Sequence, residues 1–207
     1  MTPGPSSRRA MCAACLRAQP ACICRWVRPV RAEAGLLILQ HPLETANAKN
    51  SARLLHLCVA GSTLAIGETF EPAALDALLH AGGRTPVLLY PETPGVATVR
   101  PDSLAPPGRL LIVVLDATWR KSRKMLHLNP ALQRLPRLAL VSMPASHYRI
   151  RKAHAPHQLS SLEAGAHALG QVGGSAAGVA PLLDAFEGFV QQQADYVPAR
   201  AAHPRGA

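Results

Sequence analysis

The sequence contains no run of eighteen apolar residues, so no segment is long enough to serve as a membrane-crossing helix, and no membrane partner is expected. Its opening stretch, "MTPGPSSRRAMCAACLRA", lacks the continuous apolar stretch of a secretory signal, which makes the cytoplasm the expected compartment. No internal repeat occurs, which argues against a solenoid or propeller. Acidic residues are scarce: 12 Asp and Glu stand against 22 Lys and Arg, a formal net charge of +10. Such a balance disfavours an acidic surface and points to a polyanion, with nucleic acid first, although a basic surface can also serve solubility alone. Cysteine is nearly absent outside one place. Four of the 5 fall between residues 12 and 24 and the other is Cys58, a distribution unlike the spread of a secreted disulfide framework.

What is present suits one ordinary core with a small appendage: 207 residues, 48% of them apolar. Residues 1–7 and 198–207 are rich in Pro, Gly, Ala and Arg without apolar periodicity and are expected to be flexible tails. Between them, "GLLILQH" (35–41), "TPVLLYP" (85–91), "RLLIVVLD" (109–116) and "PRLALVSM" (136–143) are short, nearly continuous apolar runs of the kind that form strands covered on both faces. Segments of helical spacing alternate with them at 50–60, 72–81, 118–128 and 160–170. The fold class is therefore α/β, a mainly parallel sheet with flanking helices, in one domain over 33–197. "APLLDAFEGFVQQQADYV" places Leu182, Leu183, Phe186, Phe189 and Val190 on one stripe and predicts an amphipathic helix lying on the sheet.

The cysteine cluster reads C-x2-C-x6-C-x-C at Cys12, Cys15, Cys22 and Cys24. Four thiolates in one short loop can close a tetrahedral shell, and zinc is the metal best suited to them in a reducing compartment. With all four ligands supplied by protein, no position is open for a bound water, so a metal in this 8–28 clip would be structural. Idle reduced thiols or a redox pair are the other readings. Arg8, Arg9, Arg17, Arg25, Arg28 and Trp26 flank the clip and could meet phosphates and bases. Cys58, inside "RLLHLCVA", reads as a small buried hydrophobe.

In an open α/β sheet, ligands gather beyond the carboxyl ends of the strands. Two ends stand out. "VLLYPE" must leave its ladder at Pro91, which has no N–H to donate. "LIVVLDATWRKSRK" delivers Asp116, Thr118 and Trp119 at a strand end and then Arg120, Lys121, Arg123 and Lys124. Asp116 or Thr118 alone could be a helix cap and Trp119 alone could be core, but together they set an acid beside a polyanion-binding face. "SHYRIRKAHAPHQLSSLEA" brings Tyr148, Arg149, Arg151, Lys152, His154 and His157 towards a helix start, as phosphate ligands or as a solvated basic loop. Ser160 and Glu163 have capping-box spacing, which suffices to explain Glu163. "HPLETANAKNSARLLHL" carries His41, Glu44, Asn50 and Arg53 from a strand end into a helix, where Arg53 is a candidate anion ligand.

Taken in order, the four-cysteine clip, "HPLETANAKNSARLL", "LLYP", "LDATW" and "LSSLEA" resemble the DTW-domain proteins, the tRNA-uridine aminocarboxypropyltransferases, over roughly residues 10–170, and "DATW" fits that family's D-x-T-W signature. The resemblance implies transfer of the 3-amino-3-carboxypropyl group from S-adenosylmethionine to N3 of a tRNA uridine, at position 47 in most bacterial members, with release of methylthioadenosine. It also implies a SPOUT-like, knotted fold. Under it, Asp116 is the expected base, Leu89, Tyr90, Pro91, Thr118 and Trp119 the cofactor-binding group, and Arg53, Arg120, Lys121, Arg149, Arg151 and Lys152 the RNA-binding set. A SPOUT-like RNA methyltransferase and a non-catalytic zinc-containing RNA-binding module are the competing expectations.

Overall fold

The computed structural model describes residues 10–141, 146 and 159–196. The strands are β1 (Gly35–Gln40), β2 (Thr63–Ile66), β3 (Thr85–Leu89), β4 (Thr98–Val99), β5 (Leu110–Asp116) and β6 (Arg137–Leu138). The helices are α1 (Ala52–Cys58), α2 (Pro72–Leu79), α3 (Trp119–Leu128), α4 (Pro130–Arg134), α5 (Ser161–Val172) and α6 (Ala180–Asp195). The strands form one sheet in the order β2-β1-β5-β3-β6-β4, and every pairing is parallel.

Alternation along the central strands divides the core into two layers. Leu36 and Ile38 of β1 and Ile112 and Val114 of β5 face α1, α5 and α6, together with Leu55, Leu162, Leu169, Phe186 and Phe189. Leu37, Leu39 and Val113 face the other way, towards Leu75 and Leu79 of α2, Met125 of α3 and Leu132 of α4. Both faces of β1 and β5 are thus covered, which is why their sequences run apolar without interruption. Where α5 approaches α1, Gly165 is required: a Cβ there would lie 2.7 Å from Leu55 Cδ2. Its absence lets the two helices close onto the sheet.

Of the expected strand at 136–143, only Arg137 and Leu138 are strand among the described residues, which in this run end at 141. Its partner on the far side is the two-residue β4, and on the near side it meets β3 only at Leu88 and Leu89, so the apolar run has little ladder to join. Strands β2 and β4 and the short helix α4 carry no marked periodicity in the sequence and were not anticipated. α6 has the expected stripe, with Leu182, Phe186 and Phe189 buried. Its main neighbours are α1, α5 and the turn Cys24–Trp26. Gly188 faces the indole of Trp26, which fills the space a Cβ would need, and Trp26 Nε1 donates to Gln192 Oε1. Trp26 is therefore a packing residue that fixes the cysteine clip to α6. Cys15 and Ile23 of the clip belong to the same apolar cluster as Leu36 and Phe186, so clip and sheet share a core.

Candidate active site

The chain leaves β1 through α1 towards β2 on one side, while β5 leads through α3 to the opposite layer. Loops that diverge from two adjacent parallel strands open a crevice at their carboxyl ends. The last register pair of those two strands is Gln40 opposite Asp116. Asp116 is only 4% exposed. Its Oδ2 accepts from Gln40 Nε2 at 2.8 Å and Asn50 Nδ2 at 2.6 Å, and its Oδ1 accepts from Ser161 Oγ at 2.6 Å. Asn50 is held in turn by its Oδ1, which accepts from Ala52 N at the start of α1 and from Gln40 Nε2. Burial raises the Asp116 carboxyl above its ordinary range, partly opposed by the donors Ser161, Gln40 and Asn50 and reinforced by the Glu44 charge.

Two clefts meet beside this carboxylate, which lines one of them and is hydrogen-bonded to Ser161, a residue of both. One, of about 430 Å³, is walled by Leu89, Tyr90, Pro91, Trp119 and Leu138 and by Ser161 at the start of α5. Trp119 is 47% exposed and meets Tyr90 edge to face, with ring centroids 5.8 Å apart and planes at 72°. The buried guanidinium of Arg137 lies 5.7 Å from the Tyr90 ring centre, and its Nη1 donates to the carbonyls of Leu132 and Leu135 at the end of α4. Tyr90 is thus supported from beneath while its ring faces the cleft. The second cleft, of about 480 Å³, is polar and is lined by Leu43, Glu44, Asn47, Asn50, Asp116 and Lys121, among others. Ala117, Ser160 and Ser161 border both clefts.

One ion pair lies in the lining of the polar cleft, and a second set of charged contacts lies outside it. Lys121 Nζ donates to Glu44 Oε1 at 2.8 Å, and Asn47 Nδ2 donates to Glu44 Oε2. Lys124 Nζ meets Glu68 Oε2 at 2.7 Å, and His41 Nε2 meets Glu68 Oε1 at 2.9 Å. Arg120 and Arg123 sit exposed on the same face of α3 and form no ion pair among the described residues.

The four clip sulfurs lie within 4.8 Å of one another, with Cys12–Cys24 at 3.6 Å and Cys15–Cys22 at 3.7 Å. A tetrahedral site with metal–sulfur bonds of about 2.3 Å has sulfurs about 3.8 Å apart, so this donor set fits one ion. Backbone N–H groups of Cys15 and Ala14 hold the Cys12 thiol down to about 6, whereas burial and the Cys12 neighbour push Cys24 up to about 12. To be held as four thiolates this close, they would need a cation among them. The knuckle closes at Leu16, whose φ of 59° lies in the left-handed region.

Of the expected site residues, Leu89, Tyr90, Pro91 and Trp119 line the aromatic cleft and Asp116 lines the polar one. Thr118 stands instead on the polar side. Neither it nor Asp116 caps α3 with a side-chain bond, because the Asp116 oxygens are taken by Gln40, Asn50 and Ser161. Lys121 is engaged by Glu44, and Arg53 Nη2 donates to Ala14 O, which ties α1 to the clip. Ser160 and Glu163 form the expected capping box. Cys58 is buried. The expected positions Tyr148, Arg149, Arg151, Lys152, His154 and His157 lie outside the described residues, as do both tails. Sequence reasoning missed Gln40 and Ser161. Gln40 is the last residue of an apolar strand run, and its opposition to Asp116 follows only from the β1–β5 register.

These features define an open α/β protein with a candidate ligand crevice at the carboxyl edge of a parallel sheet and, packed beside it, a four-thiol clip that could hold a metal. The chain belongs to the DTW domain family, whose model matches residues 9–194. It is 31% identical over 172 residues to tRNA-uridine aminocarboxypropyltransferase 2 of Mus musculus, which covers 79% of this chain and 57% of that protein. It is 30% identical over 173 residues to the Drosophila melanogaster protein of the same name, covering 80% of this chain and 67% of that one. The Macaca fascicularis protein of that name is 28% identical over 174 residues, with 80% and 57% covered. The chain thus spans little more than half the length of the mouse and macaque relatives. No solved structure matches it.

Proposed function

We propose that this protein transfers the 3-amino-3-carboxypropyl group from S-adenosylmethionine to N3 of a tRNA uridine, at position 47, and releases methylthioadenosine. The observation that carries the reading is an apolar and a polar cleft that share Ala117, Ser160 and Ser161, with a buried carboxylate on the polar side hydrogen-bonded to Ser161. The names of the relatives and the +10 charge support it. The aromatic cleft has the volume and lining of a small-molecule site and is assigned to S-adenosylmethionine. The polar cleft is assigned to the acceptor nucleoside. Among the described residues no helix is long and apolar enough to cross a membrane. The cytoplasm is the compartment we propose, the clip metal we propose is zinc, and the SPOUT-like, knotted topology belongs to the same reading, supported by the parallel sheet.

The chemistry asks little at sulfur, since the departing thioether is neutral and needs no proton. It asks more at the nucleophile, because uridine N3 carries a proton that must leave as the new N–C bond forms. Asp116 supplies the base: its raised affinity for a proton brings it nearer the working range of a general base. Binding in the walled cleft selects which sulfonium substituent faces the nucleophile, and that orientation separates this transfer from methylation. Mass spectrometry of tRNA nucleosides after incubation with S-adenosylmethionine tests the proposal, with aminocarboxypropyluridine and methylthioadenosine as the expected products. A methylated nucleoside with S-adenosylhomocysteine would make the protein a methyltransferase. Failure to bind S-adenosylmethionine would make it an RNA-binding module.

A further inference from the structure

Asp116 lines the polar cleft beside its border with the aromatic one, yet it is almost closed off from solvent. Its Oδ2 is held by two amide N–H groups, from Gln40 and Asn50, which can donate but cannot carry a proton away. Its Oδ1 is covered by the hydroxyl of Ser161. Ser161 is half-buried, borders both clefts, and opens α5, so its backbone is fixed by the Ser160–Glu163 capping box immediately beside it. A hydroxyl accepts and donates at once. It is thus the one group on Asp116 that can take a proton on its cleft side while giving its own to the carboxylate.

We infer that Ser161, rather than Asp116, touches the acceptor base and relays its proton. This rests on the transferase reading above. The uridine N3 proton passes to Ser161 Oγ as the Ser161 hydroxyl proton passes to Asp116 Oδ1. The N3 electron pair forms the bond to the transferred carbon, the carbon–sulfur bond breaks with its pair going to sulfur, and the sulfonium becomes a neutral thioether. Asp116 later returns its proton to solvent. Gln40 and Asn50 act as positioning residues: by holding Oδ2 they leave Oδ1 as the only proton-accepting face.

The test compares wild type, Ser161→Ala and Ser161→Thr for transfer to tRNA, with S-adenosylmethionine binding measured by calorimetry. Ser161→Ala should lower kcat by about 10²–10⁴-fold, the span of a lost proton-transfer partner, with S-adenosylmethionine affinity within about twofold of wild type. Ser161→Thr, which keeps the hydroxyl, should recover at least tenfold of the loss. Because the alanine variant removes a donor from the carboxylate, the acid limb of its residual rate should move to higher pH. A proton inventory in mixed light and heavy water should be curved for wild type, with two protons in motion, and straight for Ser161→Ala. An alanine variant within about threefold of wild type, with an unmoved acid limb, overturns the relay alone. Loss of S-adenosylmethionine binding would place the hydroxyl's role in the cofactor cleft and also overturn it. If wild type itself yields S-adenosylhomocysteine, the transferase reading falls and the relay with it.

Discussion

Replacing Asp116 by asparagine exchanges one carboxylate oxygen for an NH₂ group without changing shape. The amide oxygen can still accept from Gln40 and Asn50, and the NH₂ can donate to Ser161 Oγ, because a hydroxyl can reverse its role. The Gln40 and Asn50 donors keep their acceptor, and the one new cost is the second N–H of the asparagine amide, which gains no partner among these groups. The wild-type carboxyl, by contrast, is raised in the folded state by burial, so it opposes folding wherever it is ionised. The sign follows: below the unfolded value of about 3.9 it is protonated in both states and has no effect, and the penalty grows as pH rises to the folded value and is constant above it. Asp116→Asn should therefore melt at or above the wild-type temperature at pH 7, with the difference shrinking as pH falls towards 4. Transfer should drop by about 10²–10⁴-fold, or about 3–5 kcal/mol of barrier, since the proton acceptor is gone. Asp116→Ala separates the two effects. It leaves the Gln40 and Asn50 amides without their acceptor at a cost of about 1–3 kcal/mol each, so it should be both inactive and destabilised. Thermal melts across pH, paired with methylthioadenosine release, make the check. An asparagine variant that is markedly less stable than wild type at pH 7, or one that transfers normally, would refute the reasoning.

Trp119→Ala should weaken S-adenosylmethionine binding by about tenfold in calorimetry and shift the melting temperature little, because the ring is 47% exposed and meets the fold mainly through Tyr90. Treatment with a chelator, or Cys12→Ser, should release one equivalent of zinc and lower the melting temperature of the whole domain, since Cys15 and Ile23 share the main core; a melt unchanged after metal loss would remove the clip's structural role. Arg120→Ala with Arg123→Ala should reduce the slope of log K against log salt for tRNA by about 1.4–1.8, from two lost phosphate contacts, while Lys121→Ala should change it less because Glu44 already engages that ammonium.

Legibility in the sequence followed the range of the interactions. The clip could be read from spacing because all four ligands come from one short loop. β5 and α3 could be read because a seven-residue apolar strand ends on Asp116 and helical spacing begins at Trp119. β4 could not, since two residues contain no period, and the apolar run at 136–143 located β6 but overstated its length. The partners of Asp116 lie 76, 66 and 45 residues away, and no local pattern marks them. Ser161 was concealed further by the capping box next to it, which already accounts for the motif in which it stands.

The distribution of charge around the clefts explains how a carboxylate can be buried there and keep a raised affinity for a proton, as the proposed base requires. Among the described residues every side-chain donor to Asp116 is neutral: two amides and a hydroxyl. The cations of the same region are engaged further out, Lys121 by Glu44 and Lys124 by Glu68. Glu68 shows the alternative outcome, for its hydrogen bonds to Lys124 and then His41 hold its carboxyl below the ordinary range. Had Lys121 reached Asp116 instead of Glu44, the same effect would have lowered the Asp116 carboxyl and weakened it as a proton acceptor. Glu44 therefore acts twice on the site, by drawing the Lys121 ammonium to itself and by adding a like charge that raises Asp116. The inner shell orients the carboxylate without neutralising it, and the outer shell keeps the cations at the mouth, where an RNA phosphate would meet them.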